Sequence, residues 1–189
     1  MANIIALYDS CVLYPAPLRD LLMHLALTGL FCAKWTDAIH DEWIRNVLTN
    51  RPDLTQAQLQ RTRELMDAHT LDCLITDHEK LIPTLSLPDP NDKHVLAAAI
   101  KGSASIIVTY NLKDFPKNIL NKFNIEAQHP DIFIAHLIDL APELVCSAIK
   151  RLRSNLKNPP MGSETYLTIL RQQALLQTVD RLYKYITYI

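Results

Sequence analysis

Two spacings of apolar residues alternate along this chain. Residues 4–8, Ile-Ile-Ala-Leu-Tyr, form a short, continuously apolar run, the pattern of a strand covered on both faces, and the run stops at Asp9-Ser10. After Pro15 and Pro17, Leu18, Leu21, Leu22, Leu25 and Ala26 recur at spacings of three and four, which predicts a helix ending at Gly29. Residues 30–35 read as a second strand. Thr36-Asp37 is a helix-start signal, and the helix it opens runs to Thr49 with Ile39, Trp43, Val47 and Leu48 on one stripe. Asn50-Arg51-Pro52-Asp53 breaks it, and Thr55 caps a more polar helix carrying Leu59, Leu65 and Met66. Residues 71–75 form a third β-like run, and residues 77–85 a short helix or turn.

Residues 88–115 are the most organised stretch. Asp89-Pro90 combines a capping acid with proline at the first helical position. The helix so started reaches Lys101, with Gly102 just beyond it. Residues 106–110 form the strongest strand pattern, Asp114-Phe115-Pro116 begins another short helix, and residues 125–127 read as an edge strand. Strands alternating with helices predict an α/β fold with a central, mostly parallel sheet flanked by helices. From His129-Pro130 onward the pattern is helical over residues 132–140, 142–156 and 164–189, with a linker at residues 157–162. The expected organisation is an α/β domain over residues 1–130 and a C-terminal helical extension over residues 131–189.

Composition narrows the class. With 49% hydrophobic and 21% charged residues among 189, a packed core is expected and disorder is not. A formal net charge of -1 argues against a basic coat for nucleic acid while leaving room for local basic patches. Cys11, Cys32, Cys73 and Cys146 are scattered without zinc-ribbon or redox spacing, so reduced, mostly buried thiols in a cytoplasmic protein are expected. No apolar run reaches the ~18–20 residues that span a bilayer, and no leader pattern opens the chain, so no membrane association is expected.

The candidate chemistry lies in the acids. In an open parallel sheet, ligands bind beyond the carboxyl ends of the strands. Asp9 directly follows the first strand, and Asp114 follows the strand at 106–110. Asp92 lies in the first turn of the helix entering that strand, and Glu42 stands at the edge of the apolar stripe of its own helix. Each has a bland reading: Asp92 as an acid favoured by the helix dipole, Asp114 and Asp89 as caps, and Glu42 as a solvated helix residue. Asp9, abutting an apolar strand, has the fewest. Four carboxylates brought to one end of a sheet repel one another, and a hard divalent cation, Mg2+ or Mn2+, removes the conflict. The chemistry that follows is metal-assisted phosphodiester hydrolysis.

These residues resemble a family. The segments Leu7-Tyr8-Asp9-Ser10-Cys11-Val12-Leu13, Ile39-His40-Asp41-Glu42-Trp43-Ile44-Arg45-Asn46, Asp89-Pro90-Asn91-Asp92-Lys93-His94-Val95-Leu96-Ala97-Ala98-Ala99 and Ile107-Val108-Thr109-Tyr110-Asn111-Leu112-Lys113-Asp114-Phe115 are similar, in this order, to PIN-domain proteins. They stand close to the VapC-like ribonuclease toxins of bacterial type II toxin–antitoxin pairs. The resemblance covers about residues 3–130. It implies a PIN-like nuclease domain and a Mg2+- or Mn2+-dependent ribonuclease site with Asp9, Glu42, Asp92 and Asp114 as catalytic and metal-binding residues. It further implies supporting positions at Ser10 and Thr109, with Asn111 reaching metal through water and Asp89 able to exchange roles with Asp92. An RNA substrate, a cognate antitoxin and a homodimer are the implied partners. Cys11 departs from the polar residue often found at its position.

Lys93 and Lys113, next to acids of the proposed site, are the best candidates to bind RNA phosphates, ahead of Arg19, Arg45, Arg51, His94 and Lys117. Helical spacing directs His40 away from Glu42 and His94 away from Asp92, and none of the histidines has cysteine partners at zinc spacing. A non-catalytic PIN scaffold that binds RNA or protein is the alternative. Phosphotransfer of the haloacid dehalogenase type is disfavoured, because it needs a second Asp where Cys11 stands.

Overall fold

The computed structural model describes residues 4–157 and 160–189. In chain order it contains β1 (Ile5–Tyr8), α1 (Ser10–Leu13), α2 (Ala16–Ala26), β2 (Cys32–Lys34), α3 (Asp37–Asn50), α4 (Gln56–His69), α5 (Lys93–Lys101), β3 (Ile106–Val108), α6 (Lys117–Leu120), β4 (Glu126–Gln128), α7 (Pro130–Leu140), α8 (Pro142–Asn155), α9 (Ser163–Gln172) and α10 (Leu176–Leu182). Short 3-10 turns lie at Glu79–Thr84, Pro90–Asp92, Leu112–Asp114, Asn121–Phe123 and Tyr183–Tyr185. The chain forms two compact units. The first holds the residues up to Tyr14 with Phe31–His129, and the second holds Pro15–Leu30 with Pro130–Ile189.

The first unit is built on a four-stranded sheet of order β2-β1-β3-β4, parallel throughout, with helices flanking it. β1 and β3 are the inner strands, and their residues are apolar on both faces because both faces are covered. The register pairs Ala6 with Ile106, Leu7 with Ile107 and Tyr8 with Val108. Chain order reverses across β1, with β2 on one side and β3 on the other, so the carboxyl edge of β1 and β3 is a topological switch point. α5 buries Val95 through Ala99 completely, and three consecutive alanines let its backbone come close to its neighbours. Tyr8 stacks on Trp35 at 6.1 Å and meets Phe31 edge-on at 6.3 Å. Each such buried aromatic stabilises the core by about 1.5–3 kcal/mol.

A buried polar network holds α3 in place. Thr36 accepts from the Ile39 amide and caps the helix, as Thr36-Asp37 predicts. His40 is fully buried, with Nδ1 accepting from Trp43 Nε1 at 2.9 Å and Nε2 lying 3.0 Å from Asp67 Oδ1. Asp67 Oδ1 also accepts from Trp35 Nε1 at 2.8 Å. Because Trp43 donates to Nδ1, the His40 proton sits on Nε2 and points at Asp67. Burial lowers the His40 pKa from its ordinary value, which favours this neutral form. α4 begins with a capping box formed by Thr55 and Gln58.

Local details depart from expectation where tertiary packing overrides pattern. Residues 71–75 are not a strand. One parallel bridge joins Trp35 to Leu74, through Trp35 N donating to Cys73 O and Ile75 N to Trp35 O. Asp72 adopts a left-handed φ of 53° and Leu71 is 93% exposed, so nothing extends the ladder. The helix predicted from Asp89 begins as a 3-10 turn and becomes α-helical only at Lys93. Asp114 ends a 3-10 turn, and the next helix starts at Lys117. Cys32 is exposed, against the expectation of buried thiols, while Cys73 and Cys146 are buried.

Gly102 ends α5, but its φ is −82°, and Ser103 takes the left-handed conformation at 54°. What excludes a side chain at Gly102 is space, because a Cβ there would collide with Ile75 Cδ1 and stand 3.0 Å from Ile75 Cγ1 and 3.2 Å from the Ala98 carbonyl.

In the second unit α10 packs on α7, and α8 packs on α2 and α7. The helix predicted over 164–189 is divided by a left-handed Ala174 (φ 58°) into α9 and α10. Leu175, at the start of α10, has no side chain that can cap. The buried carboxylate of Asp131 on α7 does so instead, accepting from Gln177 N at 2.9 Å and Thr178 N at 2.8 Å. Two of the linker residues predicted between tail helices, 158 and 159, lie outside the described residues. Among the described residues no single helix is long and apolar enough to cross a membrane.

Two stability changes follow. Gly102→Ala should destabilise by about 1–3 kcal/mol in denaturant titration, and Ile75→Val, which removes the colliding methyl, should recover most of that loss in the double variant. Asp131→Ala leaves two amides at the start of α10 without an acceptor and should cost about 1.5–3 kcal/mol in the same assay, with Asp131→Asn intermediate.

Candidate functional site

The carboxyl edge of β1 and β3 carries Asp9, and the strand register explains how. Asp9 N donates to Val108 O at 3.1 Å and Thr109 N to Gln128 O at 3.0 Å, so the ladder continues one residue past both strands. Asp9 and Thr109 therefore stand side by side at the end of the sheet. Asp9 is only 3% exposed. It occupies the residue before α1, yet its carboxylate does not cap that helix. Oδ2 instead accepts from Thr109 Oγ1 at 2.7 Å and from Cys11 Sγ at 3.1 Å. Thr109 Oγ1, fully buried, accepts in turn from Asn111 N at 3.0 Å.

Cys11 performs a role its chemistry did not advertise. Besides meeting Asp9, its sulfur accepts from Tyr110 N at 3.3 Å and lies 3.4 Å from Thr109 Oγ1. Burial, followed by the Asp9 charge, pushes the thiol up to about 12, which keeps it protonated as a donor. The departure from a polar residue is thus small in effect, because S–H can donate where O–H would.

The acids on neighbouring elements divide by what they touch. Asp89 Oδ1 accepts from Asn91 N at 2.8 Å and caps the 3-10 turn. Asp92 directly precedes α5 but makes no side-chain cap, and the Asp114 carboxylate likewise has no hydrogen-bond or ion-pair partner among the described residues. Burial raises the Asp92 carboxyl to about 6, helped by the charges of Asp9, Asp89, Asp114 and Glu42. Four carboxylates therefore act on Asp92 at electrostatic range. Glu42, half-buried on α3, is held below its ordinary value, mainly by His94, with a smaller contribution from Ser10. His94 Nε2 lies 3.5 Å from Glu42 Oε2. Sequence spacing directs His94 away from Asp92, but it could not reveal that α5 turns it toward an acid on another helix.

Asn111 is exposed, and only its backbone amide joins the network. Lys93, half-buried, and Lys113, exposed, flank Asp92 and Asp114, and neither is in an ion pair among the described residues. Arg51 is paired with Asp53, and Arg19 is buried in the second unit. Among the described residues no three His, Cys, Asp or Glu side chains are drawn together closely enough to hold a metal ion. The donors still fit a hard divalent cation in kind. They are carboxylate oxygens, two of them without a structural partner, whose mutual repulsion a cation would relieve.

A carboxyl whose folded pKa lies above its unfolded value opposes folding once ionised. Asp92 should therefore make the metal-free protein less stable as pH rises from about 4 through about 6. In chelator, Asp92→Asn should melt higher than wild type at pH 7.5, by an order of a few degrees, and the gap should close near pH 4 in circular-dichroism melts.

Residues 5–113 match the PIN domain family, and residues 130–184 match the family described as the VapC50 C-terminal domain. A Mycobacterium tuberculosis protein titled "Putative ribonuclease VapC50" is 39% identical over 82 residues, covering 43% of this chain and 48% of that protein. The matched stretch spans about half the length of that relative. No solved structure gives a significant match. The PIN domain match runs from β1 to residue 113, one residue short of Asp114, and covers more than half of the chain: this chain belongs to the PIN-domain family.

Proposed function

We propose that this protein is an endoribonuclease that hydrolyses RNA phosphodiester bonds with Mg2+ or Mn2+ held by Asp9, Glu42, Asp92 and Asp114. One observation carries the reading. Asp92 is driven up to about 6 amid four other carboxylates, and neither it nor Asp114 has a structural partner among the described residues. The acids that serve the fold elsewhere in the chain are satisfied by donors, as Asp131 is by two amides and Asp139 by Arg181. The name carried by the mycobacterial relative agrees with this reading.

A divalent ion bound here would supply an activated water and stabilisation for the leaving oxygen. The chain's own contribution is positional. Thr109 and Cys11 orient the Asp9 carboxylate through Oδ2, leaving Oδ1 for a ligand. Ser10 and His94 restrain Glu42. Asp92 sits at the start of α5, where the helix dipole favours a negative group. Lys93 and Lys113 stand beside the acids and would hold RNA phosphates by charge. The same reading makes the protein the toxin of a type II pair, with a cognate antitoxin covering the site, a homodimer as the working form and the cytoplasm as the place of action.

Asp9→Asn, purified and checked for an unchanged circular-dichroism spectrum, should cleave a labelled single-stranded RNA at least about 100-fold more slowly than wild type. Chelator should abolish wild-type cleavage, and Mn2+ should restore it. Cleavage by Asp9→Asn at the wild-type rate would remove Asp9 from the site. Absence of heat on titration with millimolar Mn2+ would favour a PIN scaffold that binds RNA or protein without cutting it.

A further inference from the structure

Glu42 differs from the other acids of the edge. Asp9 is locked by two donors close to it in the fold, and Asp92 and Asp114 sit on short turns. Glu42 reaches the site from mid-helix on a side chain with three rotatable bonds. It and Asp92 repel each other at electrostatic range. Without a restraint, that repulsion would turn its carboxylate out toward water.

His94 is placed to supply the restraint. It comes from a different helix, α5, and its Nε2 is 3.5 Å from Glu42 Oε2, with the imidazole only 20% exposed. Its other nitrogen, Nδ1, is buried and has no hydrogen-bond partner. A buried N–H without an acceptor is more costly than a bare ring nitrogen without a donor, so in the neutral ring the proton belongs on Nε2, facing Glu42. α5 packs against the Glu79–Thr84 turn, so the ring sits on a packed helix and not on a loop. The ring thus brings Nε2 to the one acid of the four that must hold its carboxylate at the end of a glutamate side chain.

We propose that His94 is a positioning residue of the carboxylate site: its Nε2–H, together with Ser10, holds Glu42 in the orientation that binds the divalent ion. The proposal rests on the reading of Glu42 as a metal-binding acid. It assigns His94 no contact with RNA and no proton transfer.

The two side-chain amides separate donation from packing. Glutamine can bring a donor NH2 to the place of Nε2, whereas asparagine reaches only as far as Nδ1, which has no partner. The full chain would be compared as wild type, His94→Gln, His94→Asn and Glu42→Gln. The readouts are Mn2+ titration calorimetry without RNA, thermal melting in chelator, and cleavage of a fluorophore–quencher single-stranded RNA. His94→Asn should weaken Mn2+ binding about tenfold and lower kcat about 10–100-fold with KM little changed. His94→Gln should stay within about threefold of wild type in both. Equal losses in both variants, or wild-type behaviour of both while Glu42→Gln is inactive, would overturn the proposal. Wild-type cleavage and Mn2+ binding by Glu42→Gln would overturn the reading beneath it, which is a separate result.

Discussion

The parallel pairing of β1 with β3 is the constraint on which the rest of the first unit depends. With Tyr8 opposite Val108, the residues that follow each strand are neighbours, and Asp9 meets Thr109 across the sheet. A carboxylate 3% exposed needs donors, and it finds a hydroxyl and a thiol that the same register brings to it. A slip of one residue would turn the apolar faces of both strands over and separate Asp9 from Thr109. Fold and site are therefore specified by the same hydrogen bonds.

The remaining acids illustrate two uses of negative charge in one molecule. Asp67 is enclosed by Trp35, His40 and Cys73, and Asp131 by two helix amides, and in both cases a carboxylate holds elements together. Asp92 and Asp114 are placed by turns that need no cap from them, and Asp92 is burdened by its neighbours. Local instability of this kind is tolerated because the helix behind it is buried from Val95 to Ala99 and the sheet beside it is apolar on both faces. A cation would convert the repulsion into cohesion, which couples ligand binding to stability at this edge.

Much of this was legible in the order of residues. The apolar run before Asp9, the Thr36 and Thr55 caps, the start signal at Asp89 and the strand before Thr109 all appear in the structure close to where period and capping chemistry put them. Asp9, Asp92 and Asp114 could be singled out because each adjoins an element boundary of an α/β unit, and Glu42 because it edges the apolar stripe of its helix. Failures came where local pattern lost to long-range packing. Residues 71–75 had a strand's composition, but Asp72 turned left-handed and one bridge was all that formed. Gly102 ends its helix where expected, but the packing of Ile75 against it could not be read from neighbouring residues.

Sequence by itself determined the period of each element, the residues that start and stop them, and which acids border the strands, because these follow from neighbours within a few positions. Only the tertiary structure decided that Cys11 would act as a donor to Asp9, that His94 would face Glu42 and not Asp92, and that Asp131 would cap a helix 46 residues away. Each of those contacts joins groups whose relative direction depends on how separate elements pack, and helical or strand spacing carries no information about that direction.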